Sequence, residues 1–427
     1  MQSVDELERD NTQDQSKETA DWRQKMIYTV PDYFYKFECL AAECPETCCA
    51  GWQIVIDERT LAKYQKCQDS FGNRLANSID WKERCYLQYD GRCAFLNEED
   101  LCDIHLEKGV EYQCKTCRRY PKHVEIYDNE REWSLSLSCP AVARMILEKK
   151  EKTKFYTAEK KTDEYGKSCE NEDEFDDFLF SALMDCRSVL IEMAQNRKEA
   201  LNIRMAKILS LSHDVQNRID ARRLFDTETV LQRYQRAGAD TALSRKLIWY
   251  SLVNEEFCGL TKEDRAESDE LSVRWRMLDY FREFEVLDPN WVEELQRWRK
   301  ALYGEGAKRY LERRACFLEQ AKAWETEYEQ VLVYFLYVYF CGAVYDGEAL
   351  RKAKMAVVSV EILKELQFAE WIEKQEKLTV ADRTRLTWRF ARELEHSDPN
   401  LNAMERMMDE WKEADFEVLL LLLLQDL

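Results

Sequence analysis

The sequence predicts a mainly α protein in two parts: a cysteine-rich metal-cluster block with little β structure at the N-terminal end, then an all-helical domain. Three observations carry this reading. Gly and Pro are scarce, 11 and 6 in 427 residues, while 45% of residues are apolar and 12% aromatic, which excludes disordered and collagen-like chains and favours helices. From about residue 174 onward apolar side chains recur with helical period almost without interruption. Of the 16 cysteines, 11 fall between Cys39 and Cys139. At roughly 150 residues per domain the length allows about two or three domains, with core enough to fold without disulfides.

Taken in order, residues 1–27 are rich in Asp, Glu, Gln and Ser and read as a disordered acidic tail. They lack the basic and apolar regions of a signal peptide, which points to the cytoplasm, where thiols stay reduced. Residues 28–148 form the cysteine-rich block. Inside it, the Gly-Trp-Gln-Ile-Val-Ile-Asp stretch at 51–57 and residues 124–127 read as short strands. Residues 149–173 carry a run of Lys and Glu and read as a charged linker.

Residues 174–427 read as helices throughout. Leu271, Trp275 and Leu278 follow the i, i+4, i+7 rule behind Ser268, and Leu386, Phe390 and Leu394 repeat behind Thr379 as N-cap. Asp288-Pro289 and Asp398-Pro399 each set an N-cap side chain before a proline at the first helical position. The Tyr334, Tyr337 and Phe340 stripe reads as core packing rather than a ligand cage, and Gly304-Glu305-Gly306 as a turn. The apolar run at 418–424 is far shorter than the ~20 residues of a membrane span, so it reads as a buried or partner-facing helix. With 63 basic against 83 acidic residues the net charge is −20, which argues against a broad nucleic-acid or membrane-surface role.

The cysteines carry the chemistry. Cys39, Cys44, Cys48 and Cys49 form C-x4-C-x3-C-C, followed by Ala50-Gly51-Trp52. Thiolates are soft ligands suited to zinc or iron–sulfur clusters, and such spacings bring several to one centre. Cys48 and Cys49 are adjacent, so in an extended segment their side chains diverge and one of the two serves a given cluster. Cys93, Cys102, Cys114, Cys117 and Cys139 follow, while Cys67 and Cys85 have no motif around them and read as small buried hydrophobes. Cys114-x2-Cys117 lacks the strand-to-helix setting of a redox pair. The thiols are too many for one zinc site and too irregular for two. A four-thiolate [4Fe–4S] cluster is anionic, and Lys115, Arg118, Arg119, Lys122 and His123 supply positive charge around Cys117 in an acidic chain.

Absences narrow the field. No Gly-x-Gly-x-x-Gly follows a strand, so a Rossmann-type methyltransferase or dehydrogenase is unsupported. Cys44-x3-Cys48 begins the C-x3-C-x2-C triad of radical S-adenosylmethionine proteins, but Gly51 stands at its third place. His105, His123, His213 and His396 are too few for a His-rich metal site and read as surface or capping residues.

The order Tyr33-Phe34, Phe37-x-Cys39, Cys44-x3-Cys48-Cys49-x-Gly51-Trp52-x-Ile54-x-Ile56-Asp57, Cys93-x-Phe95-Leu96, Cys102-x-Ile104, Cys117-Arg118-x-Tyr120-Pro121 and Ser138-Cys139-Pro140 resembles the flagellin lysine-N-methylase family, FliB. The resemblance extends over roughly residues 28–427, with Tyr345-Asp346-Gly347 after an aromatic helix in the second half. It implies a protein that binds a [4Fe–4S] cluster and transfers a methyl group from S-adenosylmethionine to surface lysines of flagellin or another lysine-bearing protein. Cys39, Cys44, Cys48, Cys49, Cys93, Cys102, Cys117 and Cys139 occupy its cysteine positions, and Arg118, Tyr120 and Pro121 its Cys-Arg-x-Tyr-Pro segment. Arg118 and Tyr120 are the residues assigned to S-adenosylmethionine, Arg118 through the methionine carboxylate. Lys122 stands where the family carries Arg, and Cys114 is additional to the motif. The residues by themselves leave two other classes open: a zinc-stapled helical interaction module without catalysis, and an iron–sulfur redox protein. No catalytic residue is singled out by the sequence.

Overall fold

The computed structural model describes residues 26–160, 175–238, 245–247 and 270–425. In chain order its N-terminal elements are β1 (Met26–Pro31), α1 (Glu58–Gln65), α2 (Ser70–Asn77), β2 (Ile79–Asp80), β3 (Cys85–Tyr86), β4 (Gln88–Tyr89), β5 (Arg92–Cys93), α3 (Asp103–Lys108), α4 (Lys115–Arg119), β6 (Lys122–Tyr127), β7 (Glu130–Leu135), α5 (Pro140–Leu147) and β8 (Phe155–Lys160). Helices α6 (Asp177–Ala194), α7 (Leu201–Asp220), α8 (Thr227–Gly238), α9 (Glu270–Asp279), α10 (Pro289–Tyr303), α11 (Ala307–Ala321), α12 (Glu325–Tyr339), α13 (Ala343–Asp346), α14 (Ala349–Glu373), α15 (Val380–Glu395), α16 (Asp398–Glu410) and α17 (Phe416–Gln425) follow. The expected mainly α class holds.

Two cores divide the chain differently from the boundary expected near residue 148. Ile54, Ile56, Leu61, Tyr64, Phe71, Leu75, Ile79, Tyr86, Phe95 and Ile104 make a small core of their own, with Cys93 and Cys114 inside it. Val30, Tyr33, Phe34, Tyr127, Leu135, Leu137, Val142 and Leu147 belong instead to one large core with the helices. The cause is a four-stranded sheet in the order β6-β7-β1-β8, whose inner face needs cover. β1 runs parallel to β7, with Ile27 opposite Glu130, and antiparallel to β8 along its whole length. On the sheet lies α12, whose Tyr337 hydroxyl donates to the carbonyls of Thr29 (3.2 Å) and Trp133 (3.1 Å). The small core is therefore an insertion that leaves the sheet after β1 and returns to it at β6.

Of the charged linker expected over 149–173, residues 155–160 form strand β8. Phe155 stacks on Tyr337 with ring centroids 4.3 Å apart, and aromatic and β-branched residues outweigh the flanking charges. Residues 161–174, and 1–25 of the acidic tail, lie outside the described residues. Residues 124–127 fall in β6 as expected. Residues 51–57 make no strand: only isolated bridges form, Ala50 to Arg92 and Val55 to Cys85, because Gly51 at φ +82° bends the backbone out of register.

The helical body follows the capping signals with one shift. Thr379 and Asp382 close a capping box at α15, and Asp288 caps α10 ahead of Pro289. At α16 the cap is Ser397, and Asp398 is the first helical residue. Ser268, the cap expected before α9, lies outside the described residues. The aromatic stripe of α12 and the apolar run of α17 are buried. Helix α14 is buried on all sides, so its charges are paired: Glu361 with Arg274 (3.1 Å), Glu365 with Arg314 (2.6 Å) and Glu370 with Arg385 (2.8 Å).

Candidate functional site at the junction of the cysteine block and the helical body

The 14 described cysteines are all free thiols. Among the described residues no group of three or more His, Cys, Asp or Glu side chains stands arranged to hold a metal ion. The thiols nevertheless fall into two neighbourhoods. In the first, the Cys114 and Cys117 sulfurs lie 3.5 Å apart and share a hydrogen bond. That bond lowers the Cys114 thiol to about 7 and pushes Cys117 up, with burial and the Cys49 and Cys102 thiols acting on Cys117 in the same direction. Cys93 sits alongside, pushed up to about 12 by burial, with Cys102 and Cys114 adding to it. In the second, burial raises Cys139 to about 11, and Cys44 and Cys48 add to it. Cys44 is likewise raised by burial, with Cys48 and Cys39 contributing. Cys48 and Cys49 hydrogen-bond to each other and link the two neighbourhoods.

Local structure explains this placement. Cys102, Cys114 and Cys139 are the N-cap residues of α3, α4 and α5, which fixes each thiol at the start of a helix. Asp57 caps α1, and its second carboxylate oxygen accepts the N–H of Lys115 at 2.8 Å, which clamps α4 to the 51–57 segment. Those hydrogen bonds hold the Asp57 carboxyl below the usual range against the opposing effect of burial. The Thr116 hydroxyl donates to the Val55 carbonyl at 2.9 Å.

The second neighbourhood abuts the last turn of α15. Trp52, held by its indole N–H to the Cys48 carbonyl (2.8 Å), places its ring 4.8 Å from that of His396 and 5.9 Å from that of Tyr120. Ser138 binds both the Tyr120 hydroxyl (3.1 Å) and His396 Nε2 (2.8 Å), and hydrogen-bonds to Ser136. Ser136 donates to Glu395 (2.8 Å), which also accepts from Tyr334 (2.6 Å) and Tyr339 (3.1 Å). Burial raises the Glu395 carboxyl, and the three hydroxyls partly offset this. Burial, with Arg392 adding to it, lowers His396 to about 3, so the imidazole is neutral. An open cleft of about 350 Å³ adjoins Trp52, between Gly51, Gln53 and Gln88 on the block and Val286 and Leu287 on the helical body.

This assembly joins an aromatic wall, which attracts a cation, to a buried carboxylate reached through hydroxyls, which accepts a proton. Of the residues expected from the sequence, Tyr120 is in the junction, whereas Arg118 is exposed on α4. Cys44, Cys48 and Cys139 are beside the junction; Cys49, Cys93, Cys102 and Cys117 line the block with Cys114; Cys39 is exposed. Cys85 is buried as expected and accepts from Gln53 (3.1 Å), while Cys67 is only partly buried. Glu395, Arg392, Ser136 and Ser138 escaped sequence reasoning as site residues; the Ser138-Cys139-Pro140 string was the one available signal. His396 is the C-cap of α15, as a capping reading requires, but its ring is buried.

Fold and site together define a helical protein with a thiol-rich insertion packed against a buried polar turn. The model of the FliB lysine N-methylase C-terminal domain matches residues 187–423, more than half of the chain, and the protein belongs to that family. The chain is 31% identical over 133 residues to the lysine-N-methylase of Salmonella typhimurium, an alignment covering 29% of this chain and 33% of that protein. It is equally 31% identical over 133 residues to the flagellar biosynthetic protein FliU of Salmonella muenchen, covering 29% of this chain and 79% of FliU. The alignment thus spans about a third of the lysine-N-methylase. No solved structure matches the chain.

Proposed function

We propose that this protein transfers the methyl group of S-adenosylmethionine to the ε-amino group of a lysine on a partner protein, flagellin first among candidates, and that its cysteine block carries a [4Fe–4S] cluster. One observation carries the reading: the matched lysine N-methylase domain includes the last turn of α15, and that turn faces the thiols. The name of FliU supports a flagellar partner. We assign Cys117, Cys49, Cys102 and Cys114 to such a cluster as its four soft donors, with Cys44, Cys48 and Cys139 in the neighbouring group; the described thiols are not preset around a metal, so the cluster would draw its ligands together. Bound there, a cluster supplies a redox-active centre with Lewis-acidic iron.

The chain's own residues account for the rest. A lysine amine attacks only when neutral, and the wall of Trp52, Tyr120 and His396 attracts the sulfonium that gives up the methyl group. The amine nitrogen bonds to the methyl carbon as the carbon–sulfur bond breaks, S-adenosylhomocysteine leaves, and the released proton passes through the serine hydroxyls to Glu395.

The test uses anaerobically prepared full-length protein. Iron–sulfur protein is brown, with broad absorption near roughly 400 nm. Incubated with methyl-labelled S-adenosylmethionine and flagellin, it is expected to yield labelled methyl-lysine by mass spectrometry. A colourless, zinc-containing protein that labels neither flagellin nor other lysine-rich proteins refutes the reading.

A further inference from the structure

Helix α15 carries a buried cation with an unused hydrogen-bonding edge. Arg392 is 7% exposed, and its guanidinium lies 5.0 Å over the Trp388 ring. Its Nη1 approaches Glu46 at 3.7 Å, whereas Nε and Nη2 are buried without a hydrogen-bond partner. One turn further on, His396 Nδ1 is buried and equally unpartnered. Buried polar groups left without a hydrogen bond are expensive, and a native fold that keeps two of them one helical turn apart points to a ligand.

The identity of the unused edge narrows the ligand. Nε–H and Nη2–H lie on one side of a guanidinium and match the two oxygens of a carboxylate. The protein uses this edge so elsewhere: Arg383 grips Glu327 through Nε (2.7 Å) and Nη2 (2.8 Å), and Arg197 grips Glu329 through Nε (3.0 Å) and Nη2 (2.8 Å). At Arg392 no side chain of the described residues meets it. Arg392 is buried one turn before His396, and its charge acts on Cys44, Cys48, Tyr120 and His396, so the guanidinium lies beside the junction.

We propose that the Nε–Nη2 edge of Arg392 grips the carboxylate at the amino-acid end of S-adenosylmethionine, while Trp52, Tyr120 and His396 receive its cationic sulfonium. The assignment rests on the methyltransferase reading and replaces Arg118, which is exposed, with a guanidinium already desolvated. A desolvated guanidinium binds a carboxylate more strongly than one that must first shed its water.

The test compares S-adenosylmethionine with its decarboxylated analogue, which keeps the sulfonium and loses the carboxylate, on full-length iron-loaded protein by equilibrium dialysis. Wild type is expected to prefer S-adenosylmethionine about ten- to a hundredfold. Arg392→Gln should bind the analogue as wild type does and lose the preference, and Arg392→Lys should retain part of it. A wild type that binds both alike overturns the anchor, and this comparison stands even if Arg392→Gln fails to fold. An Arg392→Gln protein that keeps the preference overturns it too, as does a preference lost in Arg118→Gln instead. If Arg392→Gln loses iron while its discrimination is unchanged, the guanidinium serves the thiolates and the anchor is wrong. Wild type that binds neither compound refutes the methyltransferase reading itself, and the anchor with it.

Discussion

Replacing Glu132 with Gln is the most direct test of the single large core, because Glu132 joins the sheet to the helices. It lies on β7 with 2% of its side chain exposed, and its partner Arg187 on α6 is 5% exposed. Arg187 Nη1 donates to Glu132 Oε2 at 2.6 Å and to the Tyr337 carbonyl of α12 at 2.9 Å, and Nη2 donates to Glu132 Oε1. The guanidinium also lies 5.1 Å from the Tyr337 ring centroid. A Gln fills the same volume but removes the compensating charge, so the cation stays buried and unbalanced. Breaking a buried pair in this way costs about 3–5 kcal/mol, a large part of a typical stability of about 5–15 kcal/mol.

Urea unfolding followed by far-ultraviolet circular dichroism reads the loss. With m near ~3 kcal/mol/M the midpoint should fall by about 1–1.7 M at unchanged m. The exposed Arg84–Glu58 pair, 55% and 82% accessible, provides the comparison: Glu58→Gln should cost less than about 1 kcal/mol. Substituting both buried partners by apolar residues of similar size, Glu132→Leu with Arg187→Met, should recover most of the loss, since the desolvation penalty then disappears on both sides. A cost below about 1 kcal/mol for Glu132→Gln would show that the strands and helices do not share a core.

Burial raises the Glu393 carboxyl from 4.5 to about 7, with Asp288 adding and Arg389 and the N–H of Leu287 opposing. Between those values the native protein keeps a proton that the unfolded chain has released, so this group's contribution to stability falls as pH rises. Glu393→Gln should therefore be more stable than wild type at pH 8, by at most about 3 kcal/mol, with the gain gone below pH ~4; equal stabilities at both pH values contradict it. If the proposed cluster is present, anaerobically prepared wild type should hold about four irons per chain and Cys117→Ser fewer, and equal iron in the two would remove Cys117 from the ligand set. A chain beginning at Phe175 lacks the strands and α5 that complete the large core, so it should bind hydrophobic dyes and unfold without cooperativity. A sharp unfolding transition for that chain would show the helices to be self-sufficient.

What the sequence made legible was local. Capping residues announced α10 and α15, and the one-residue shift at α16 arose because Ser397 competes with Asp398 for the same role and wins. Cysteine spacing announced a thiol-rich block but could not sort its members, since Cys139 reaches Cys44 and Cys48 only after the chain has traversed the insertion and the first strands of the sheet. Charges counted around Cys117 singled out Arg118, yet counting does not distinguish an exposed turn from a buried one. Arg392 sits in a stretch where charged residues alternate with apolar ones at helical period, the pattern of any half-buried helix, and nothing local marks it as lacking a partner. β8 was hidden for a related reason: it pairs only at one edge of the sheet, and with Tyr156, Thr157 and Glu159 exposed its sequence resembles a linker.

The insertion gives these misreadings a common origin and a functional consequence. Both of its ends are tied to neighbouring parts of one sheet, β1 where the chain departs and β6 where it returns. Its small core, in contrast, is separate from the large one and is built from few large side chains around thiols. Such a body can be set against α15 with Trp52 as its foremost contact, because two anchored ends fix position while the separate core allows local opening at lower cost than global unfolding. Tyr120 stands at the returning end, immediately before β6, and His396 at the end of α15, so the wall between them is assembled only when insertion and helical body are docked. Undocking the insertion would therefore dismantle the wall, so the wall and the thiols beside it depend on one and the same contact.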